Sequence, residues 1–203
     1  MQNIINISPN QSVVKNGVSY AVNIMSPSKT VTSLQVVCFF DFTKNQHYEG
    51  GTYAVNEHFQ GAIDDIRKSG TFRGNEMQTL LLTPMLKQIP AQKLLLIGLG
   101  DPDKLSLDLF NRVGYCVVLE AVKLGVPDLC FAPSIKDAGL SGFAAADISK
   151  ALALGMNTAL EATDVLFQKK LAPEILLKAI FLLAGQPQAD NAYEGLKEAF
   201  ISV

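Results

Sequence analysis

The sequence predicts an α/β fold: a mixed, mostly parallel sheet flanked by helices in three layers. Three observations point there. Short apolar strands alternate with helix-length stretches, the pattern of crossovers between parallel strands. Leu34 to Phe40 (Leu-Gln-Val-Val-Cys-Phe-Phe) is a continuous apolar run, as in strands buried on both faces. An early hairpin signal, Asn16-Gly17, makes the sheet mixed.

The elements follow in order. Val18 to Ile24 alternates at period two, as a half-buried strand does, and Val13-Val14 upstream can close the hairpin. After the central strand, Thr43 to Gly51 reads as the loopiest region. Helical spacing then predicts a single helix over Asn56 to Ser69, with Phe59, Ala62, Ile63 and Ile66 on one stripe and Gly70 as C-cap. Thr79 to Thr83 and Lys93 to Ile97 read as strands, the second running into Gly98-Leu99-Gly100. A helix is predicted from Leu107 to Leu124, with Ser106 as N-cap and Gly125 beyond its end. Leu129 to Ala132 is a short strand. An Ala-rich helix over Ala144 to Phe167 follows, with Ile148, Leu152, Gly155, Ala159 and Ala162 on a face that lets another element approach closely. A last strand, Ala179 to Leu183, precedes an amphipathic helix, Ala192 to Ile201, with Leu196 and Phe200 inward. Without repeats or a long polar linker, residues 1–203 read as one domain.

Composition bounds the function. The 203 residues are 48% hydrophobic and 18% charged, enough to exclude wholesale disorder. Seventeen basic against 19 acidic side chains give a net charge of −2, so neither nucleic acid nor a membrane surface is an expected partner. Cys38, Cys116 and Cys130 are widely spaced and all sit in apolar runs. They read as free buried thiols, which suit a reducing compartment. Met1 to Asn6 lacks the basic start of a signal peptide, and no apolar run reaches membrane-span length. Cytoplasm is the expected location.

Candidate chemistry is thin. Gly98-Leu99-Gly100, after a buried strand, is the candidate ligand-binding turn, because glycines let backbone N–H groups approach a phosphate. A full GxGxxG would need glycine where Asp103 stands, and Asp101 and Asp103 would repel a phosphate. His47, in a polar loop, and His58, beside Glu57, read as surface histidines. They form neither HExxH nor a Cys/His cluster, so no metal site and no cofactor are expected. Asp64 and Asp65 are adjacent and diverge on a helix, so they read as helix-surface acids. No GxSxG elbow marks a nucleophile. With all three thiols read as buried, a Cys–His dyad is not expected.

One stretch carries a resemblance. Ile66-Arg67-Lys68-Ser69-Gly70-Thr71-Phe72-Arg73-Gly74-Asn75-Glu76, then Gln78-Thr79-Leu80-Leu81-Leu82, then Lys93-Leu94-Leu95-Leu96-Ile97-Gly98-Leu99-Gly100 resembles the N-terminal domain of the leucyl (cytosol) aminopeptidase family. The succession is similar: a helix ending in a glycine turn, a leucine-rich strand, a spacer, a second strand with a glycine turn, then a helix. Two family lysines are replaced here by Asn75 and Asp101. The family's metal-binding lysine, aspartates and glutamate belong to a C-terminal domain whose motifs do not occur before Val203, so no catalytic residue is carried over.

The resemblance implies a macro-domain-like fold and a non-catalytic role in packing an oligomeric peptidase. The expected function is therefore a stand-alone, non-catalytic module that forms a homo-oligomer or associates with a peptidase. The alternative is a binder of a nucleotide or ADP-ribose-type ligand at Gly98 to Gly100, the nearest thing here to a macro-domain phosphate loop. An aminopeptidase in its own right is the third reading.

Overall fold

In the computed structural model, which describes residues 12–85 and 88–201, the apolar runs become strands β1 (Ser12–Lys15), β2 (Val18–Asn23), β3 (Leu34–Phe40), β4 (Thr79–Leu82), β5 (Lys93–Gly100), β6 (Asp128–Ala132) and β7 (Ala179–Leu183). Among the described residues five α-helices accompany them: α1 (Gly50–His58), α2 (Ala62–Ser69), α3 (Leu107–Leu124), α4 (Ala145–Gln168) and α5 (Ala189–Phe200). The strands form one mixed, mostly parallel sheet in the order β1-β2-β7-β6-β3-β5-β4, the α/β architecture expected. Met1 to Asn6, read above for a signal peptide, lies outside the described residues. No helix among the described residues is long and apolar enough to cross a membrane.

Contacts divide the chain into two compact units. The first comprises residues up to Ile24, Ser106–Leu129 and the chain from Phe143 on. Its hairpin turns at Asn16-Gly17, both at positive φ, and β2 runs parallel to β7. Helix α3 has the ends foreseen: Ser106 Oγ accepts from the Leu109 N–H at 3.2 Å, and Gly125 stands at φ 62°. Helix α4 lacks a local side-chain cap and is capped from α5 instead, where Asn191 Oδ1 accepts from the Ala146 N–H at 2.9 Å.

Helices α3 and α4 meet backbone to backbone. A Cβ on Gly155 would overlap the Asn111 carbonyl, and one on Gly114 would overlap the Leu152 carbonyl. The small-residue face foreseen on α4 is therefore a seat for α3. Leu196 of α5 is fully buried, whereas Phe200 is half-buried with its ring 4.7 Å from that of Tyr20.

The second unit comprises Met25–Leu105 and Cys130–Gly142. Here β3 and β5 are parallel, with a register shift at Phe39/Phe40, and β4 pairs antiparallel with β5. Val37, Phe39, Phe72, Leu94 and Leu96 form its core with Val55 and Ile63 from the helices.

The single helix expected over 56–69 is a correction. The chain makes two helices, broken where Gln60 (φ 56°) and Gly61 (φ 82°) enter the left-handed region. The first helix also begins six residues earlier than the spacing indicates, inside the predicted loop, for a reason that lies in a distant segment.

The α3–α4 seat gives a direct test. Gly155→Ala should lower unfolding free energy by about 2 kcal/mol in urea titration, because overpacking outweighs the usual helix gain of about 1 kcal/mol. Stabilisation by Gly155→Ala would contradict the close approach.

Candidate functional site

In the second unit a group of hydrogen-bonded polar side chains lies around the end of β3 and the segment after β6. At the centre is Arg67 of α2, only 1% exposed. Its Nη2 donates to the carbonyls of Phe40 (3.1 Å) and Asn45 (3.3 Å), bridging the end of β3 to the loop that follows. Its guanidinium carbon lies 4.8 Å from the ring centroid of Phe39 and 5.2 Å from those of Phe42 and Tyr48. Asp64, one turn earlier, brings Oδ1 to 3.6 Å from Nη1. Burial pulls the guanidinium pKa down while Tyr48 and Asp64 oppose it, and an arginine so placed stays charged.

Asp64 is itself held. The Tyr48 hydroxyl donates to Oδ1 at 2.7 Å and the Asn56 amide to Oδ2 at 3.2 Å. Burial, and then the neighbouring carboxylate, raise the Tyr48 pKa, so it remains a phenol donor at neutral pH. Asp64 is therefore a half-buried network member, a correction to the surface-acid reading, which holds for Asp65 alone.

Two further loops are closed by the chain's own acceptors. Asp137 Oδ2 accepts from the Thr52 N–H (2.9 Å) and hydroxyl (2.8 Å), and the Asp137 carbonyl accepts from the Glu49 N–H (2.7 Å). A carboxylate 85 residues away thus occupies the N-terminus of α1, where the helix dipole favours negative charge. That contact explains a helix starting at the poor formers Gly50-Gly51. Likewise the successive N–H groups of Arg73, Gly74 and Asn75 converge on Gln78 Oε1 at 2.9, 3.1 and 3.3 Å. Such a concavity suits an anion, and here the Gln78 amide oxygen fills it.

Gly98, Leu99 and Gly100 lie beside that loop. The Gly98 N–H donates to the Gln78 carbonyl (2.7 Å) and the Gly100 N–H to the Gly74 carbonyl (2.9 Å), while Leu99 is buried. A Cβ on Gly98 would overlap the Asn75 carbonyl. These glycines let the Arg73–Gln78 loop lie against β5. Asp101 accepts from the Asp103 N–H at 3.1 Å, capping the short 3-10 turn Pro102–Lys104. His47 is exposed with Nε2 3.0 Å from Glu49, and His58 is exposed at the end of α1.

The cavity between Arg67, Asn45, Thr52 and Ser134 measures about 10 Å³, room for one water-sized species. Among the described residues no three His, Cys, Asp or Glu side chains are placed to share a metal ion. Sequence reasoning missed Arg67, Asp137 and Gln78. The only local signal was for Arg67, which lies one turn beyond Ile63 on the stripe that α2 buries.

Cys38 and Cys130 are buried as expected, but Cys116 is half-exposed, because it lies off the face that α3 buries. Burial raises the thiol pKa of Cys38, and burial with Glu120 raises that of Cys116. Native protein should therefore react slowly with a thiol reagent at Cys116 and not at Cys38 or Cys130, with all three labelled in denaturant, as read by mass spectrometry. Fast native labelling of Cys38 would contradict this environment.

Comparison with known proteins places this geometry. Residues 36–166 match the model of the cytosol aminopeptidase family, N-terminal domain. A probable cytosol aminopeptidase of Sulfurihydrogenibium sp. (strain YO3AOP1) is 25% identical over 108 residues, 53% of this chain and 21% of that protein. A mutant tomato leucine aminopeptidase superposes with a TM-score of 0.64 at 15% identity, over 90% of this chain and 35% of its own. A mutant macrodomain of Oceanobacillus iheyensis gives 0.63 at 12% identity, covering 92% of this chain and 95% of its own. The Trypanosoma brucei macrodomain, solved in complex with ADP-ribose, gives 0.63 at 14%, covering 86% and 68%. These solved structures share the macrodomain-like fold, and the chain spans about a third of the tomato enzyme. By the match over its middle two-thirds, the chain belongs to the cytosol aminopeptidase family and carries that family's N-terminal domain.

Proposed function

We propose that this chain, acting as a single domain, is a non-catalytic association module that assembles with itself or with a peptidase of its family. The observation that supports this best is the end of α4. There Val165 (54% exposed), Leu166 (43%) and Phe167 (39%) follow one another and Leu171 (72%) comes soon after, a run of exposed apolar side chains that water alone does not favour. Its polar groups support the same reading, since Arg67, Asp137 and Gln78 are engaged in holding loops. Buried thiols suit a cytosolic setting.

A nucleotide or ADP-ribose-type ligand at Gly98 to Gly100 is the second reading, supported by the shared fold with a macrodomain solved with ADP-ribose. Such a ligand would have to displace the Arg73–Gln78 loop to reach the two glycine amides. The association reading predicts no shift in melting temperature with millimolar ADP-ribose. Stabilisation that rises with ligand concentration would favour the second reading instead.

The association test uses tagged protein in extract of its own cells. A cytosol aminopeptidase catalytic chain should be retained, or light scattering should give a mass above that of one chain. A Phe167→Glu, Leu171→Glu double variant should weaken assembly through this surface, read as peptidase retention, at least tenfold, with an unchanged melting temperature. A monomer retaining no peptidase contradicts the reading. So does hydrolysis of leucine amide with added zinc or manganese above a heat-killed control.

A further inference from the structure

The first unit holds a cavity of about 370 Å³, lined by the hairpin turn Asn16-Gly17, by α4 and by the segment leading into β7. That volume lies among those of small-molecule sites, roughly 300–1,000 Å³. The cavity sits where the parallel strands β2 and β7 begin, whereas ligands of open α/β sheets collect at the carboxyl ends of strands.

Its floor is aliphatic. Val18, Leu160 and Leu177 are buried there and Ile175 is half-buried. Its walls are charged. Glu161 and Asp164 come from α4, and Lys178 comes from the residue before β7. Glu161 is fixed in place, since Asn16 Nδ2 (3.1 Å) and Asn157 Nδ2 (2.8 Å) both donate to its Oε1. Both amides use the same oxygen, so Oε2 keeps its lone pairs. Three other lysines of this unit close on glutamates: Lys123 on Glu120 (2.7 Å), Lys150 on Glu198 (3.2 Å) and Lys197 on Glu194 (2.7 Å). Lys178 forms no ion pair with Glu161, Asp164 or any other described residue. Opposite charges thus stand unpaired around one cavity. Tyr20, two residues beyond Val18 on the same face of β2, is fully buried, and its hydroxyl has no partner among the described residues. Burial, and then Glu161, raise its pKa, so the charge of Glu161 reaches into the buried layer.

We propose that this cavity binds a small zwitterion with an aliphatic side chain, of the amino-acid class, its ammonium held by Glu161 and Asp164, its carboxylate by Lys178 and its side chain by the floor. Each part of such a ligand answers one feature. Glu161 and Asp164 are like charges three residues apart on a helix, and a cation between them relieves their repulsion. Lys178 supplies the charge that a carboxylate needs. A bare cation would leave Lys178 and the floor unmatched, and two acids against one base disfavour a phosphate-bearing ligand. The site goes beyond the association reading and does not rest on it.

Titration of the full chain with L-leucine, followed by amide NMR, tests the site. Saturable shifts should centre on Gly17, Val18, Glu161 and Lys178. Leucinamide lacks the carboxylate, isocaproate lacks the ammonium and glycine lacks the side chain, and each should bind at least tenfold more weakly than leucine. Leucyl-leucine in parallel distinguishes a dipeptide from a free amino acid by which of the two binds tighter. Glu161→Gln and Lys178→Met change exposed residues, and each should weaken leucine binding at least tenfold with an unchanged melting temperature. In Lys178→Met, leucine should bind no better than leucinamide. Absence of shifts around the cavity at tens of millimolar leucine, or shifts confined to other residues, overturns the site. Leucinamide or isocaproate binding wild type as tightly as leucine overturns the zwitterion. None of these results bears on whether the chain assembles.

Discussion

A buried positive charge organises the second unit. Arg67 has exchanged water for two carbonyls, three aromatic faces and one carboxylate, drawn from the end of β3, the loop after it and the preceding turn of its own helix. Removing a guanidinium from water costs several kcal/mol, so the site is stable only while those partners stay in place. Phe40 and Phe39 fix the end of β3. Asn45, Phe42 and Tyr48 fix the loop after it, and Asp64 ties the arrangement back to α2. The loop is held both by this charge and by its own turns, where Asp41 Oδ1 accepts from the Thr43 N–H at 2.7 Å and Asn45 Oδ1 from the His47 N–H at 3.0 Å.

The same economy governs the other polar groups of this unit. Groups that elsewhere hold anions are here engaged by the protein itself: a carboxylate at the start of α1, an amide oxygen in the Arg73–Asn75 concavity, carbonyls on the Gly98 and Gly100 amides. A fold shared with macrodomains thus carries internal ties at these positions. Exposed apolar side chains gather instead at the end of α4. Surfaces of that kind suit contact with other protein more than chemistry on a small molecule.

Elements set by neighbours in the chain were legible. β3 announces itself as an unbroken apolar run, and α3 carries both of its end signals, Ser106 and Gly125. That some element would sit close on α4 was visible in the small residues around Gly155, though not that it would be α3. What was hidden depends on distant contacts. Helix α1 begins at two glycines because Asp137 caps it, and no local pattern records that. Arg67 lies one turn beyond Ile63 on the buried stripe of α2, but nothing local foretells that Phe39, Phe42 and Tyr48 surround it. Gly98 and Gly100 were recognisable as a place needing close backbone approach, but the sequence does not say whether a ligand or the chain's own loop makes that approach.

Unfolding of Arg67→Lys in urea addresses the central claim most directly. Lysine keeps the charge but lacks the planar fork that bridges Phe40 and Asn45 while stacking on the rings. The variant should lose about 3 kcal/mol of stability, the scale for breaking a buried charge network. A loss within about 0.5 kcal/mol, as for an ordinary surface substitution, would show that the loop after β3 does not depend on this guanidinium.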